Sequence, residues 1–561
     1  MTFNFNSFFK GFNKKSFIVW LSYVAVLLTM SYFAYFYKLG NKTFHIWDES
    51  RNATSAYELS HNGKFLTPTY GGEIDMWSTK PPLLIGCQAI CIKLFGNDET
   101  SIRLPSAMAA TLAVLTIFLI IAVLTGSKPL GFLAAGIFLT TPGILPYHAL
   151  RQADFESFLL CFSLAFSLVF LYFLEKNQKK YLYLAMSLFT LAFLSKSSAS
   201  LFFLPGIFIF VVLRRKALSL AKDKHFYLSL LIPVIVLGGY YLIREQVNPG
   251  YIKAVYNNEF GGRAFTTLEG HAKPFLFYYN YLTDYALGFW FWVIPAGIVL
   301  IFFEKNKFVK NLFLFSAILA ITHLLIISLL KTKLEWYCLP EVPFWAILSG
   351  ISIYEIMKLI LKPVNKPNVQ EVAMIIVFIG VLYYPVVLQY KLVKFLSVEE
   401  TWQQNIKFFL RERAEILISD KSKEIIVITD NYDQNARYYI YKLSDKGYNI
   451  RQGSFSDVKE NTYIVLDIPD ENKMIEAFTF CAHVDTLEIY TQRVKAFYVG
   501  EYYTKEQAVE YVETFIINNL EFKNYIEEKA VNNGVAFEKQ LYDDASYLID
   551  NACTKVGYSF Q

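Results

Sequence analysis

The sequence predicts a polytopic α-helical membrane protein, with about 11 transmembrane helices plus juxtamembrane helices and a C-terminal soluble α/β domain. Three observations carry this expectation: composition, long apolar segments, and a change of character near Val398. Of the 561 residues, 54% are hydrophobic, 17% aromatic and only 18% charged, and the mean hydropathy is +0.32. Soluble domains carry about 25% charged residues, so a water-exposed fold for the whole chain is excluded.

A bilayer core of about 30 Å needs roughly 20 apolar helical residues. Spans are therefore expected near Phe17–Tyr37, Leu104–Leu124, Leu130–Leu145, Phe155–Leu174, Tyr181–Leu194, Ser198–Leu213, Phe226–Ile243, Tyr285–Phe303, Leu312–Leu330, Pro340–Leu361 and Val372–Tyr390. The first is too long for a signal-peptide core and reads as a retained anchor. Tyr181 to Leu213 as one helix would be about 50 Å long, with Lys196 at mid-membrane costing on the order of 3 kcal/mol. A hairpin with Lys196 at its tip is cheaper. Pro82 to Phe95 reaches only about 21 Å and is expected to lie at the interface.

Charge then sets orientation. Lys10, Lys14, Lys15, Lys128, Lys176, Lys179, Lys180, Arg214, Arg215, Lys216, Lys305, Lys307, Lys310 and Lys362 fall on one side under this topology, the positive-inside pattern. The N-terminus is expected in the cytoplasm of a bacterial inner membrane and the C-terminal domain outside. Domain limits are expected at 1–397, the membrane domain, and 398–561, the α/β domain. The outer loops collect Asp48, Glu49, Arg51, Lys80, Arg151, Asp154, Glu156, Lys196, Glu259, Arg263, His271, Lys333 and Tyr337. With no Walker-type or dinucleotide glycine loop to bind a nucleotide, an activated group would have to arrive on a lipid.

Several motifs follow in order on that face. They are Asp48-Glu49-Ser50-Arg51 after the first span, Thr79-Lys80-Pro81-Pro82-Leu83, Arg103-Leu104-Pro105-Ser106-Ala107, Arg151-Gln152-Ala153-Asp154, Phe193-Leu194-Ser195-Lys196, Glu259 with Arg263 and His271, and Lys333-Leu334 with Tyr337 before Pro340. Together they resemble the GT-C fold polyprenyl-phosphate-dependent membrane glycosyltransferases, in the aminoarabinose transferase and protein O-mannosyltransferase-like group, over roughly the first 390 residues. The resemblance implies an inverting hexosyl- or pentosyltransferase. It would move a sugar from a polyprenyl (undecaprenyl) phosphate carrier to a hydroxyl of a glycolipid, polysaccharide or protein outside the cytoplasmic membrane. Asp48 would be the general base, with Glu49 and Asp154 beside it as catalytic candidates. Arg51, Lys80, Lys196, Arg263, Lys333 and Tyr337 would hold the lipid phosphate, whose departing charge needs cationic and hydroxyl donors. Asp154 and Glu259 would orient sugar or acceptor groups or pair with those cations, and His271 would bind substrate. No metal ligand set is assigned and no cofactor is required, although the acids could take a divalent metal; membrane lipid is a partner and nucleic acid is not.

Structural readings stand beside these. Asp48 and Glu49 suit a helix start, Lys80 could snorkel, Lys196 and Lys333 could anchor loops to headgroups, and Tyr337 beside Trp336 could belong to an interfacial aromatic belt. The chain departs from the aminoarabinose group at Thr79, where a carboxylate is usual, and at Glu335-Trp336, where a proline is common, so lipid A specificity is not carried across. The rival class is a transporter or flippase of a lipid-linked sugar, which would place ionisable groups near mid-span; here the acids gather at one interface.

In the last third, Glu424–Thr429 and Thr462–Leu466 read as buried strands, Asn435–Leu443 as helix or strand, and Lys505–Ile517, Glu521–Lys529 and Glu538–Asn551 as amphipathic helices. Asp430, Asp433 and Asp467 at strand ends read as turn formers before they read as a site. Of the six cysteines, Cys87, Cys91, Cys161 and Cys338 read as structural, while Cys481 and Cys553 could pair.

Overall fold

Some of the long helices start and stop where the chain supplies a cap. The Asp98 side chain accepts from the Ser101 amide at 2.7 Å and opens Glu99–Thr125, which Gly126 closes at φ +77°; Ser127 then opens Lys128–Leu139 with Pro129 in its first turn. The computed structural model describes residues 14–145, 148–262, 270–363, 367–398, 405–418, 420–429, 434–467, 472–491, 494–556 and 558. The chain divides into two compact units, Met1–Val398 and Glu399–Gln561.

In the first unit, eight helices among the described residues are long and apolar enough to cross a membrane. The number is nine if Phe277–Ala286 and Gly288–Leu300, bent through 104°, form one broken span. The expected count was eleven; Lys128–Leu139 falls short of a span, and Lys179–Leu213 counts once although it folds into two arms. Lys128–Leu139 has 12 residues, about 18 Å of helix, too short for a bilayer. It is a buried core helix, wedged in by small residues: a Cβ on Gly131 would lie 2.6 Å from the Phe118 carbonyl, and one on Gly350 would lie 2.9 Å from the Ala134 Cα. Such close backbone approach is what small residues permit between membrane helices.

The second segment, Lys179–Leu213, is a single run of 35 helical residues, yet it turns back on itself. Ser197 has φ +41°. Lys179 pairs with Asp223, and the Lys216 ammonium donates to the Leu174 carbonyl, beside the start of the run. A straight helix of that length would hold its ends about 50 Å apart. The hairpin with Lys196 at its turn is therefore what the chain forms.

Between the first span and Glu99–Thr125 lies a small layer built from the helices Asp48–Asn62 and Leu83–Phe95 and a two-stranded ribbon pairing Thr69 with Ile74 and Tyr70 with Glu73. The ribbon turns at Gly71-Gly72, both at positive φ. Their amides donate to the buried Glu58 carboxylate, at 2.7 Å from Gly71. The ribbon is thereby fixed to the Asp48–Asn62 helix. At another edge the Arg151 guanidinium donates to the carbonyls of Ala34 and Tyr37, both at 2.8 Å, and reaches the Ser397 hydroxyl. Burial, followed by the nearby Arg103 charge, pulls this guanidinium down to about 10.

The second unit is a five-stranded sheet in the order 450–452, 425–429, 462–467, 494–502, 482–489, with the first three strands parallel and the last two antiparallel. Its core includes Ile426, Leu466, Phe478, Val499, Val512 and Ile549. The expected strands and helices are present, and the ambiguous stretch around Asn435–Leu443 is the helix Gln434–Asp445. Cys481 and Cys553 form a disulfide, while Cys87, Cys91, Cys161 and Cys338 are free. Asp467 ends its strand opposite Thr429 and Val494; Asp430 and Asp433 lie outside the described residues.

Candidate active site

The site is organised by one buried ion pair. Glu49, in the first turn of Asp48–Asn62, is 1% exposed and takes both ends of the Arg103 guanidinium, at 2.7 and 3.0 Å. It also accepts the amides of Ala153 and His45. Arg103 spends its other donors on the carbonyls of Leu39, Lys42 and Thr43. Burial would raise the Glu49 carboxyl, but Arg103 and the two amides outweigh it and hold it below the usual carboxylate range. Glu49 was expected among the catalytic acids. Both its oxygens are engaged and out of water, so it positions the loop ends and is not available to accept a proton.

Asp48, one residue earlier, stands apart. Its side chain is 34% exposed, and among the described residues it makes no hydrogen bond. Its Oδ2 lies 3.8 Å from His148 Nδ1. The same nitrogen is held by Asp154, which is buried and also accepts the Phe155 amide at 2.7 Å. Asp48, His148 and Asp154 thus converge from three points of the chain. His148 sits at φ +59°, its amide donating to the Gln152 side chain, and its ring stacks on Trp336 at 3.7 Å. Burial would strip the proton from His148, but Asp154, then Asp48, outweighs it and raises the imidazole above its ordinary value. Burial likewise opposes ionisation of Asp154, and the His148 charge overrides it, bringing the carboxyl down to about 2.

A pH dependence follows with a definite sign. A raised histidine contributes stability that is fully present below its unfolded value of about 6.5 and is lost as pH rises through the higher folded value. The lowered Asp154 contributes above about 3.9 and fails only as pH falls toward 2. Thermal melts of the full chain are expected to drop between pH 6.5 and mildly alkaline pH more in the wild type than in His148→Gln. Equal slopes would show that the pair is not charged in the folded protein.

Beside this cluster lies an open cavity, about 880 Å³ of empty space counting its solvent mouth, lined by Lys80, Glu156, Lys196, Glu259, Trp336 and Tyr337 among others. Lys196, at the hairpin turn, is ion-paired with Glu156 and lies 5.5 Å over the Tyr337 ring. Glu259 accepts from the hydroxyls of Thr79 and Ser198, at 3.2 and 3.4 Å. Lys80 rests 5.2 Å over the Phe155 ring and, among the described residues, has no carboxylate partner. It is the lining cation whose charge is left to offer. Asp48 does not itself line the cavity; the connection runs through His148 to Trp336.

The remaining expected residues are placed differently. Arg51 forks onto Asp75, at 2.8 and 3.2 Å, between the rings of Tyr70 and Trp77, so its charge is already neutralised. Lys333 donates to the Leu330 carbonyl at 2.6 Å and does not line the cavity; burial, then Lys331, pulls its ammonium below the usual lysine range. His271 lies off the cavity too, its carbonyl accepting the Lys333 amide at 3.0 Å. Arg263 lies outside the described residues. His148, Asp75 and Trp336 were not singled out as site residues in the sequence. The Ile74-Asp75-Met76-Trp77 run leaving the two-stranded ribbon could have flagged Asp75, whereas nothing local marks His148.

Residues 79–240 match the family model described as dolichyl-phosphate-mannose-protein mannosyltransferase. The crystal structure of ArnT from Cupriavidus metallidurans bound to undecaprenyl phosphate superposes with a TM-score of 0.62 at 15% identity, covering 87% of this chain and 98% of that one. This chain has the GT-C fold. The apo ArnT structure gives the same TM-score, 0.62, at 14% identity over 86% and 98% of the two chains. An uncharacterized protein of Aquifex aeolicus (strain VF5) is 28% identical over 326 residues, 56% of this chain and 61% of that protein. The family match and the GT-C likeness bear out the resemblance read from the ordered motifs, and the matched stretch holds Lys80, His148, Asp154 and Lys196.

Proposed function

We propose that this protein is a membrane glycosyltransferase that moves a sugar from a polyprenyl phosphate carrier to a hydroxyl acceptor outside the cytoplasmic membrane, with inversion at the anomeric carbon. One observation carries the reading: a partly exposed carboxylate, Asp48, backed by a buried His148–Asp154 pair that stacks on the wall of a cavity holding Lys80, which has no carboxylate partner among the described residues. Asp48 takes the acceptor proton as the oxygen attacks. Lys80, aided by Tyr337 and by Lys196 once it releases Glu156, meets the negative charge on the departing phosphate. Asp154 keeps His148 in place, and Glu259 is positioned to accept from a substrate hydroxyl. The disulfide Cys481–Cys553 supports an oxidising compartment for the C-terminal unit, and the basic loops support the opposite face as cytoplasmic.

The ligand atoms of Asp48, His148 and Asp154 lie within 4.8 Å of one another, close enough to hold a cation. In this reading a proton on His148 fills that role, and transfer needs no metal. The test is incubation of the purified full chain with polyprenyl-phosphate sugars and candidate glycolipid, polysaccharide and protein acceptors. Labelled acceptor with release of lipid phosphate is expected, at a rate unchanged by EDTA. Failure with every donor would sink the function; loss of rate on chelation, restored by divalent metal, would replace the proton with an ion.

A further inference from the structure

The cavity wall contains a second buried acid–base pair that the transfer step does not use. His323, within the helix Lys307–Leu329, places Nδ1 2.9 Å from Oε2 of Glu341, at the end of the short helical segment Glu335–Glu341. Their side chains are 2% and 0% exposed. The imidazole is sandwiched into the core by Phe203, stacked at 4.7 Å. Burying such a polar pair is costly, and an apolar pair would join the two helices as well. Ionisable residues inside membrane spans mark functional positions by default. His323 also lines the open cavity shared with Lys80 and Lys196. With Nδ1 committed to Glu341, Nε2 is the nitrogen it has left for a ligand.

We propose that His323, oriented by Glu341, is a specificity-determining contact for the sugar of the lipid-borne donor; this rests on reading the cavity as the donor site. Three parts of such a donor could meet the residue, and chemistry separates them. The phosphate needs a cation, and Lys80, with no carboxylate partner among the described residues, supplies it; His323 is already engaged by the Glu341 carboxyl. The isoprenoid chain needs only apolar wall, and the neighbouring Leu159, Phe202 and Pro340 provide it. A sugar hydroxyl needs one directional hydrogen bond on an otherwise apolar surface, and His323 offers that. A site built around such a bond discriminates strongly against analogues that cannot make it, because the protein's own polar group is then left unpaired.

The test measures lipid binding to the full chain in nanodiscs with two probes: undecaprenyl phosphate, and the tightest binder from a panel of undecaprenyl-phosphate hexoses and pentoses. The wild type is expected to hold the sugar-bearing lipid more tightly. His323→Asn retains an amide that reaches Glu341 from the Nδ1 position and removes Nε2. It is expected to weaken the sugar-bearing lipid roughly 3- to 10-fold while leaving undecaprenyl phosphate unchanged, and His323→Gln should recover part of the loss. Equal weakening of both lipids, no weakening of either, or no gain from any sugar in the wild type would overturn the proposal. Lys80→Ala separates the two levels of inference. It should weaken both lipids about tenfold or more; if it weakens neither, or the wild type binds neither, the donor-site reading has failed and His323's role fails with it.

Discussion

Asp48→Asn is expected to reduce sugar transfer by about 10² to 10⁴ while leaving the fold intact. The substitution preserves size and removes the carboxylate's negative charge, and with it the ability to take a proton. Among the described residues Asp48 makes no hydrogen bond that the change would break, and His148 keeps its principal partner, Asp154. Stability should therefore stay within roughly 0.5 kcal/mol of wild type. Initial rates with a labelled lipid donor, measured beside a thermal melt, check both halves. Undiminished transfer would remove Asp48 as the base and shift attention to another oxygen acceptor on that face.

Arg103→Ala should have the largest effect on stability. It leaves Glu49, 1% exposed, as a buried charge without its cation, and it strips donors from the carbonyls of Leu39, Lys42 and Thr43. Breaking a buried pair by removing one partner typically costs about 3 to 5 kcal/mol. By contrast the exposed pair Lys523–Glu527, 4.0 Å apart, belongs to the class worth about 0 to 1 kcal/mol. The expected result is a sharp fall in melting temperature and in yield of monodisperse protein for Arg103→Ala, and near-wild-type behaviour for Lys523→Ala. If the two variants melt alike, the Glu49–Arg103 pair is not the keystone of this face.

Much of the architecture was readable because hydropathy and period report burial directly. The long apolar helices and the amphipathic helices of the second unit follow from composition, and the hairpin at Lys196 follows from the cost of a charge at mid-membrane. Lys128–Leu139 misled because a helix buried inside a bundle is as apolar as one facing lipid. The strands Ala482–Ile489 and Val494–Tyr502 carried little signal, since the first is largely exposed and its pairing is irregular. At the site, acids and cations could be collected on one face, but partners could not. Whether an arginine is free or committed depends on residues such as Asp75, 24 positions from Arg51, and Arg103, 54 from Glu49. Lys80 and Arg51 looked alike in sequence; the fold pairs Arg51 with Asp75, whereas Lys80 has no carboxylate partner among the described residues.

Trp336 touches His148 on one side and the cavity on the other. In the proposed reaction that indole borders the place where the two reactants meet: the carrier's head lies in the cavity, and the alcohol reaches its anomeric carbon from the side of Asp48. The two reactants then enter by separate doors, so neither has to leave before the other arrives. A single displacement from the far face of the ring is the stereochemical outcome such a layout favours.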